Sequence, residues 1–116
     1  MEPKDAVLAL GAIAQETRLA AFRALVAAGP AGLAAGALSA KLDVPPPTLS
    51  FHLTALANAG LVTSTRDGRS IVYAADFAAM NALLGFLTEN CCGGEPCGPV
   101  TCAPPKAARA RRRIPA

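Results

Sequence analysis

The sequence predicts a small, mainly α-helical domain with one β-hairpin. Apolar residues recur at helical spacing through most of the first 90 residues, and two β-branched runs flank a single tight-turn signal near residue 67. A chain of 116 residues leaves room for one domain. We therefore expect residues 1–90 to form the folded domain, followed by a cysteine-rich and basic tail over residues 91–116.

Five helices are expected, over residues 5–14, 16–26, 34–42, 46–59 and 76–90. Gly29 and Pro30 end the second helix, because proline has no amide to donate. Prolines are tolerated in the first turn of the fourth helix, where amides lack a helical partner. On the last helix one face is apolar and is predicted to lie in the core or at a dimer contact; it consists of Phe77, Met80, Leu84 and Leu87.

The hairpin is predicted from residues 62–65 and 70–73, which Arg66, Asp67, Gly68 and Arg69 connect. Asp-Gly favours a tight turn because both central residues tolerate positive φ. A two-stranded ribbon after three short helices is the element order of a winged helix-turn-helix, in which one helix enters the major groove of DNA.

The fourth helix is the predicted DNA-reading element. Leu49, Leu53 and Leu56, at positions i, i+4 and i+7, would hold it against the core and leave the other face free. The candidate DNA-contacting residues are Pro47, Thr48, Ser50, Phe51, His52 and Thr54 on this helix, with Arg66 and Arg69 in the hairpin. Each of two residues has an alternative to a DNA contact. The imidazole of His52 finds its partner on a neighbouring helix, or Phe51 packs at a dimer contact.

Charge is unevenly distributed along the chain. Residues 1–105 contain six basic and eight acidic residues and so carry a formal charge of −2, whereas the last eleven residues hold the other five basic ones. No Arg or Lys lies between Asp43 and Thr65. Phosphate neutralisation is therefore expected from Arg66 and Arg69, with Lys41 and the basic tail as further candidates.

All four cysteines lie within twelve residues, at Cys91, Cys92, Cys97 and Cys102. Clustered thiols in a chain without a secretory signal favour metal binding or redox chemistry over structural disulfides. Trivalent arsenic and antimony are soft centres that take three thiolates, and zinc fits an adjacent pair poorly. The preferred ligands are Cys91, Cys92 and Cys97, with Cys102 as a fourth candidate.

Several classes of protein are excluded by what the sequence lacks. The first residues have neither the basic nor the apolar region of a secretory signal, and no uncharged run is a clean apolar span. We expect a cytoplasmic protein with no membrane partner. No general acid, anion-binding loop or Cys-x-x-Cys turn accompanies the thiols, which disfavours an enzyme and any catalytic cofactor.

Four stretches of the chain together resemble the ArsR/SmtB family of metalloregulatory repressors, over roughly residues 5–90: Ala14–Leu19, Pro47–Leu53, Leu56–Val62 and Arg66–Arg69. The resemblance implies a homodimeric winged-helix repressor that leaves double-stranded operator DNA when a metal or metalloid binds. A Cys-Cys pair just after the last helix, with more cysteines downstream, resembles the branch whose arsenic site is C-terminal.

The same resemblance shows which other family sites are missing. Ala34 and Gly36 stand where older arsenic sensors carry a Cys-x-Cys pair, and the last helix offers Asp76 and Glu89 but no histidine for a zinc site. We therefore expect a dimer formed by the first and last helices, whose inducer is trivalent arsenic (arsenite) or antimony. The alternative function is a thiol redox switch on the same scaffold that responds to oxidants.

Overall fold

A computed structural model describes residues 1–94 of the chain. The elements in order are α1 (Pro3–Ile13), α2 (Glu16–Ala28), β1 (Leu33–Ala34), α3 (Ala35–Leu42), α4 (Pro46–Asn58), β2 (Val62–Asp67), β3 (Ser70–Ala75), α5 (Phe77–Leu87) and a 3₁₀ helix, Cys91–Gly94. The mainly helical fold with a small β wing is confirmed. Within this described part, none of the helices has both the length and the hydropathy that crossing a bilayer requires.

The core is built mainly from leucines of α2, α3 and α4, and from one leucine just before β2. Its largest fully buried side chains are Leu25, Leu38, Leu49, Leu53, Leu56 and Leu61. The predicted inner face of α4 is therefore confirmed. Each buried leucine contributes about 1.5–3 kcal/mol through the hydrophobic effect. Alanines complete the core on the α1 side, where Ala6 and Ala9 are buried and let the helices approach closely.

The helix ends follow the local chemistry of the sequence. Gly29 closes α2 with a φ of 83°, as its position before Pro30 predicts. Gln15 caps the start of α2, where its side chain accepts a hydrogen bond from the backbone amide of Arg18 at 2.9 Å. Asp76 caps α5 in the same way, accepting from the amide of Ala79 at 3.0 Å.

The sheet has a third strand that the sequence analysis missed. Its order is β1-β3-β2 with antiparallel pairing throughout, and Leu33 lies opposite Tyr73. A strand of two residues is too short to show a period, so the sequence pattern predicts Ala34 in the third helix instead. Gly32 precedes β1 with a φ of 71°, and a Cβ there would lie 2.1 Å from the backbone oxygen of Tyr73. Only glycine fits this approach.

The turn of the hairpin differs from its prediction by one residue. Asp67 pairs with Ser70, so the loop consists of Gly68 and Arg69 alone. Gly68 has a φ of 64°, whereas Arg69 does not have positive φ. A two-residue loop with glycine first is typical of a type II′ turn. The prediction that Asp67 and Gly68 form the centre of the turn is therefore wrong.

The last helix is shorter than the predicted range of residues 76–90. α5 ends at Leu87 rather than at Asn90, which takes a left-handed φ of 60°. The predicted apolar face divides: Phe77 and Met80 pack against the core, whereas Leu87 is 53% exposed. The buried residue of α5 is Leu83, which lies beside that predicted face. α5 thus covers the core with one edge and leaves another edge open.

Candidate nucleic-acid interface

α4 is held on one face and free on the other. Its leucines are buried, while the exposed residues are Pro47, Thr48, Ser50, Phe51 and Thr54, all of them predicted DNA contacts. Phe51 is 69% exposed, so this face combines hydroxyl groups with one aromatic ring. Hydroxyls contact phosphates and base edges, and apolar side chains contact the methyl group of thymine. Their contacts with DNA stay predictions.

The start of α4 carries unusually few amide donors. The first four amide groups of an α-helix have no partner inside it, and in α4 three of these four positions are proline, from Pro45 to Pro47. The amide of Leu49 already donates to the oxygen of Pro45 at 2.9 Å. Thr48 therefore supplies the one free amide of this first turn. Helix N-termini commonly bind phosphate through several amides, so side chains must carry most polar contacts here.

Hydrogen bonding inside the helix restricts what Thr54 can offer. Its hydroxyl donates to the backbone oxygen of Ser50 at 2.9 Å, which uses the single hydroxyl hydrogen. An exposed lone pair and the methyl group remain. Thr54 is therefore suited to accept a hydrogen bond from a base amino group or to contact an apolar base edge.

His52 is half-buried and contacts a neighbouring helix. Its Nδ1 atom lies 3.3 Å from Nη1 of Arg18 on α2. The ring of Phe51 meets the imidazole edge-on, with 5.6 Å between the ring centroids and 66° between the planes. One edge of the imidazole is thus engaged within the protein, as one alternative expected. A DNA contact through the other edge stays a prediction.

Arg18 itself is a residue whose role the sequence analysis did not assign. Besides approaching His52, its Nε atom donates to the backbone oxygen of Ala12 at 2.5 Å. The guanidinium thus links the end of α1 to α4 from a position on α2. The signal in the sequence was an arginine three residues after the residue that caps α2, but its partners are distant in sequence.

The wing places two arginines at the tip of the hairpin. Arg66 lies in β2 opposite Ile71, and Arg69 forms half of the turn. Both side chains are exposed, as is Lys41 in the last turn of α3. Exposed guanidinium groups on a protruding ribbon are well suited to contact phosphates. Their contact with the DNA backbone stays a prediction, as does that of Lys41.

The predicted thiol site lies partly within the described residues. Cys91 and Cys92 begin the 3₁₀ helix after α5, and Cys91 is half-buried. The amide of Cys91 donates to the oxygen of Thr88 at 2.9 Å, which fixes its backbone to the end of α5. Cys97, Cys102 and the basic tail lie outside the described residues. Among the side chains that the structure describes, no three or more of His, Cys, Asp and Glu lie together as a metal site requires.

Comparisons with known proteins identify the family. Residues 13–65 match the model of a helix-turn-helix domain family. An ArsR-like transcriptional regulator from Rhodococcus sp. RHA1 is 32% identical, with a TM-score of 0.64 over 72% of this chain and 76% of that one. The chain belongs to the ArsR family of transcriptional regulators. As a family member, it is a DNA-binding winged-helix regulator: α3 and α4 form its helix-turn-helix, and β2 and β3 form its wing.

Two further solved structures resemble this ArsR-family chain. Reduced HlyU from Vibrio cholerae N16961 is 28% identical, with a TM-score of 0.59 over 77% of this chain and 90% of that one. A homodimeric winged helix-turn-helix DNA-binding domain from Mycobacterium bovis, from a possible ArsR-family regulator, is 27% identical, with a TM-score of 0.60 over 75% of this chain and 81% of that one. No protein of curated function matches.

Proposed function

We propose that this ArsR-family protein is a transcriptional repressor that trivalent arsenic or antimony releases from its operator. The observation that carries the proposal is the placement of the thiols: all four cysteines follow α5 within twelve residues, and none precedes it. Thiolates are soft ligands and select soft centres over magnesium or calcium. Cys91, Cys92 and Cys97 are the proposed ligands, with Cys102 as a fourth candidate.

The position of the first two cysteines suits chelation. Consecutive Cα atoms are about 3.8 Å apart, so the sulfur atoms of neighbouring cysteines can reach one centre. Gly93 follows them with a φ of 70°, a conformation that turns the chain sharply. A pyramidal three-thiolate site then needs one more sulfur from the following residues, and Cys97 is the next in sequence.

We propose further that the protein is a homodimer joined through α1 and α5. These two helices contact each other and expose large apolar side chains: Val7 is 68% exposed and Leu8 60%. Clustered exposed apolar residues mark contact surfaces. The similar domain from Mycobacterium bovis is described as homodimeric. A symmetric dimer would present two copies of α4 to double-stranded DNA about 34–36 Å apart.

Release requires that the ligand bind more tightly to one arrangement of the dimer than to another. A ligand that binds both arrangements equally shifts nothing, and a change from about 1:99 to 99:1 requires about 10⁴-fold tighter binding to one of them. The thiols adjoin the end of α5, and α5 contacts α1. Drawing Cys91, Cys92 and Cys97 around one centre would therefore repack the dimer contact and change the spacing of the two α4 helices.

The test is DNA binding by the wild-type protein and four single Cys→Ser variants, with and without arsenite. The probe is a duplex of about 30 base pairs, long enough for two half-sites, which the wild-type protein selects from a random library. We expect arsenite to release wild type and Cys102→Ser, and to leave Cys91→Ser, Cys92→Ser and Cys97→Ser bound. Wild type that binds equally well at saturating arsenite would contradict the proposal.

A thiol redox switch is the second candidate, because one similar structure is described as reduced HlyU. In this version, hydrogen peroxide oxidises two thiols to one disulfide and is itself reduced to two water molecules. Neighbouring Cα atoms are about 3.8 Å apart, below the usual 4.4–6.8 Å of disulfides. Oxidation would therefore join two cysteines that are not neighbours in sequence. Release by peroxide but not by arsenite would favour this candidate.

A further inference from the structure

We propose that Arg18 is a positioning residue for DNA binding, which holds the imidazole of His52 so that its Nε2–H is presented as a donor to DNA. In this role Arg18 also ties the reading helix α4 to the end of α1. The proposal depends on the DNA-binding fold and on the hydrogen bonds of these residues. It does not depend on the thiol sensor.

The chemistry of arginine fixes the tautomer of His52. A guanidinium group carries only donors, so Nδ1 of His52, at 3.3 Å from Nη1 of Arg18, must be the acceptor. A neutral imidazole whose Nδ1 accepts carries its hydrogen on Nε2. One contact therefore makes the opposite edge of the ring a donor.

Arg18 is held in place independently of His52. Its Nε atom donates to the oxygen of Ala12, which is among the last four carbonyls of α1 and so has no partner within that helix. The last turn of α1 contains no basic residue of its own. The positive charge of Arg18 thus also complements the negative end of the α1 dipole. These contacts make the guanidinium a fixed point rather than a mobile surface group.

We infer that the other edge of His52 is the one that meets DNA. In the part of the chain that the structure describes, the imidazole makes no hydrogen bond other than that with Arg18. Phe51 packs edge-on against the ring, while Leu53 anchors the next position in the core. Phosphate oxygens and the N7 and O6 atoms of guanine are acceptors for such a donor. Because α4 has no Arg or Lys, one oriented donor makes a larger contribution to the contacts of this helix with DNA.

The same contacts connect the two functions of the fold. α1 carries the exposed Val7 and Leu8 of the proposed dimer contact, and α4 carries the reading face. A shift of the end of α1 would move the carbonyl that holds Arg18, and with it the partner of His52. Arg18 thus lies on a direct hydrogen-bonded connection between α1 and α4.

The first experiment reads the tautomer directly in the wild-type protein. His52 is the only histidine of the chain, so the imidazole nitrogens give one set of NMR signals. With the ring neutral, we expect hydrogen on Nε2 and a hydrogen-bonded, unprotonated Nδ1. A wild-type ring that carries its hydrogen on Nδ1 would overturn the proposal, whatever the variants do.

The second experiment tests positioning with Arg18→Lys, which keeps the charge but cannot donate to both acceptors from one fixed fork. We expect about tenfold weaker binding to the selected duplex, equivalent to the loss of one well-made contact. The dependence of affinity on salt should not change, because no phosphate contact is lost. Binding of Arg18→Lys as tight as that of wild type would overturn the proposal. The matched control, Arg23→Lys, changes an exposed arginine of the same helix.

A double-mutant cycle shows whether Arg18 acts through His52. His52→Asn keeps an amide oxygen near the place of Nδ1 but removes the Nε2 donor. We expect each single variant to bind about tenfold more weakly and the double variant to be no weaker than either, since both remove one interaction. A loss of about a hundredfold, the product of the two, would mean independent roles and overturn the proposal. Thermal unfolding of each variant verifies that it folds.

Discussion

On the side of the domain formed by α3, α4 and the sheet, most large apolar residues are buried and Phe51 is the main exception, whereas α1 and the end of α5 leave several of theirs exposed. Leu38, Leu53 and Leu61 are fully buried on the first side. On the second side Leu8 and Leu87 are more than half exposed, and the buried residues of α1 are alanines. The first side is therefore complete within one chain, and the second requires another surface to cover it.

The largest effect is expected at the completed side, from Leu53→Ala. Truncating a fully buried leucine lowers the free energy of unfolding by about 2–5 kcal/mol. Urea denaturation should show the same loss at every protein concentration, because the contacts of Leu53 lie within one chain. The adjacent exposed Thr54→Ala is the control and should change stability by less than about 0.5 kcal/mol. A loss of stability that grows as the protein is diluted would show that the contacts of Leu53 do not lie within one chain.

The next effect concerns the approach of β1 to β3. Gly32→Ala would bring a Cβ against the Tyr73 backbone and force a positive φ on alanine, so we expect a loss of at least about 2 kcal/mol in thermal or urea unfolding. Gly36→Ala is the matched control, since its Cβ meets nothing within 4 Å. Because Gly36 lies in α3, this change should stabilise by up to about 1 kcal/mol. Equal effects of both changes would show that β1 is not packed as described.

A smaller effect is expected at the open side, from Leu8→Ser. It should raise the dissociation constant of the dimer by about tenfold, as expected when one interface side chain that is not a hot spot is removed. Sedimentation velocity over a dilution series measures this change. Ile71→Ser alters an exposed apolar residue of the wing and should leave association unchanged. An unaffected dimer in Leu8→Ser would mean that α1 is not the covered surface.

The smallest effect is expected at the tip of the wing. Arg66→Ala and Arg69→Ala should each weaken DNA binding to a similar degree on all sequences, because phosphate contacts carry no sequence information. The slope of log affinity against log salt should fall by about 1 for each arginine removed. Fluorescence anisotropy at several salt concentrations measures it. A slope unchanged in both variants would place the wing away from DNA.

The sequence predicted most of the side formed by α3, α4 and the sheet. Leu49, Leu53 and Leu56 recur at helical spacing, and Gly29 with Pro30 forms a local stop signal, so the helices and the core face of α4 could be read directly. Such features depend on residues close together in sequence. The predicted contacts of Phe51 and Arg66 with DNA remain predictions, although both residues are exposed as that role requires.

Features that depend on residues distant in sequence could not be predicted from the sequence patterns. β1 exists because Leu33 meets Tyr73, and a two-residue strand has no period of its own. The contact of Arg18 with His52 joins positions 34 residues apart, and neither residue type predicts it. α5 ends at Leu87, where its apolar pattern also ends, so the predicted end at Asn90 was three residues too far along the chain. For β1 and for the Arg18–His52 contact, tertiary interactions decided what local propensity left open.

The run of prolines at the start of α4 has a consequence for how this regulator finds its site. With few amides to attract phosphate and no cation on the helix, α4 should add little to the binding of arbitrary DNA, which is left to Arg66 and Arg69 in the wing. A searching protein that holds random sequence loosely spends less time on the very large number of competing sites in a genome. Such a molecule can occupy its target at low copy number, even when the affinity for that target is modest.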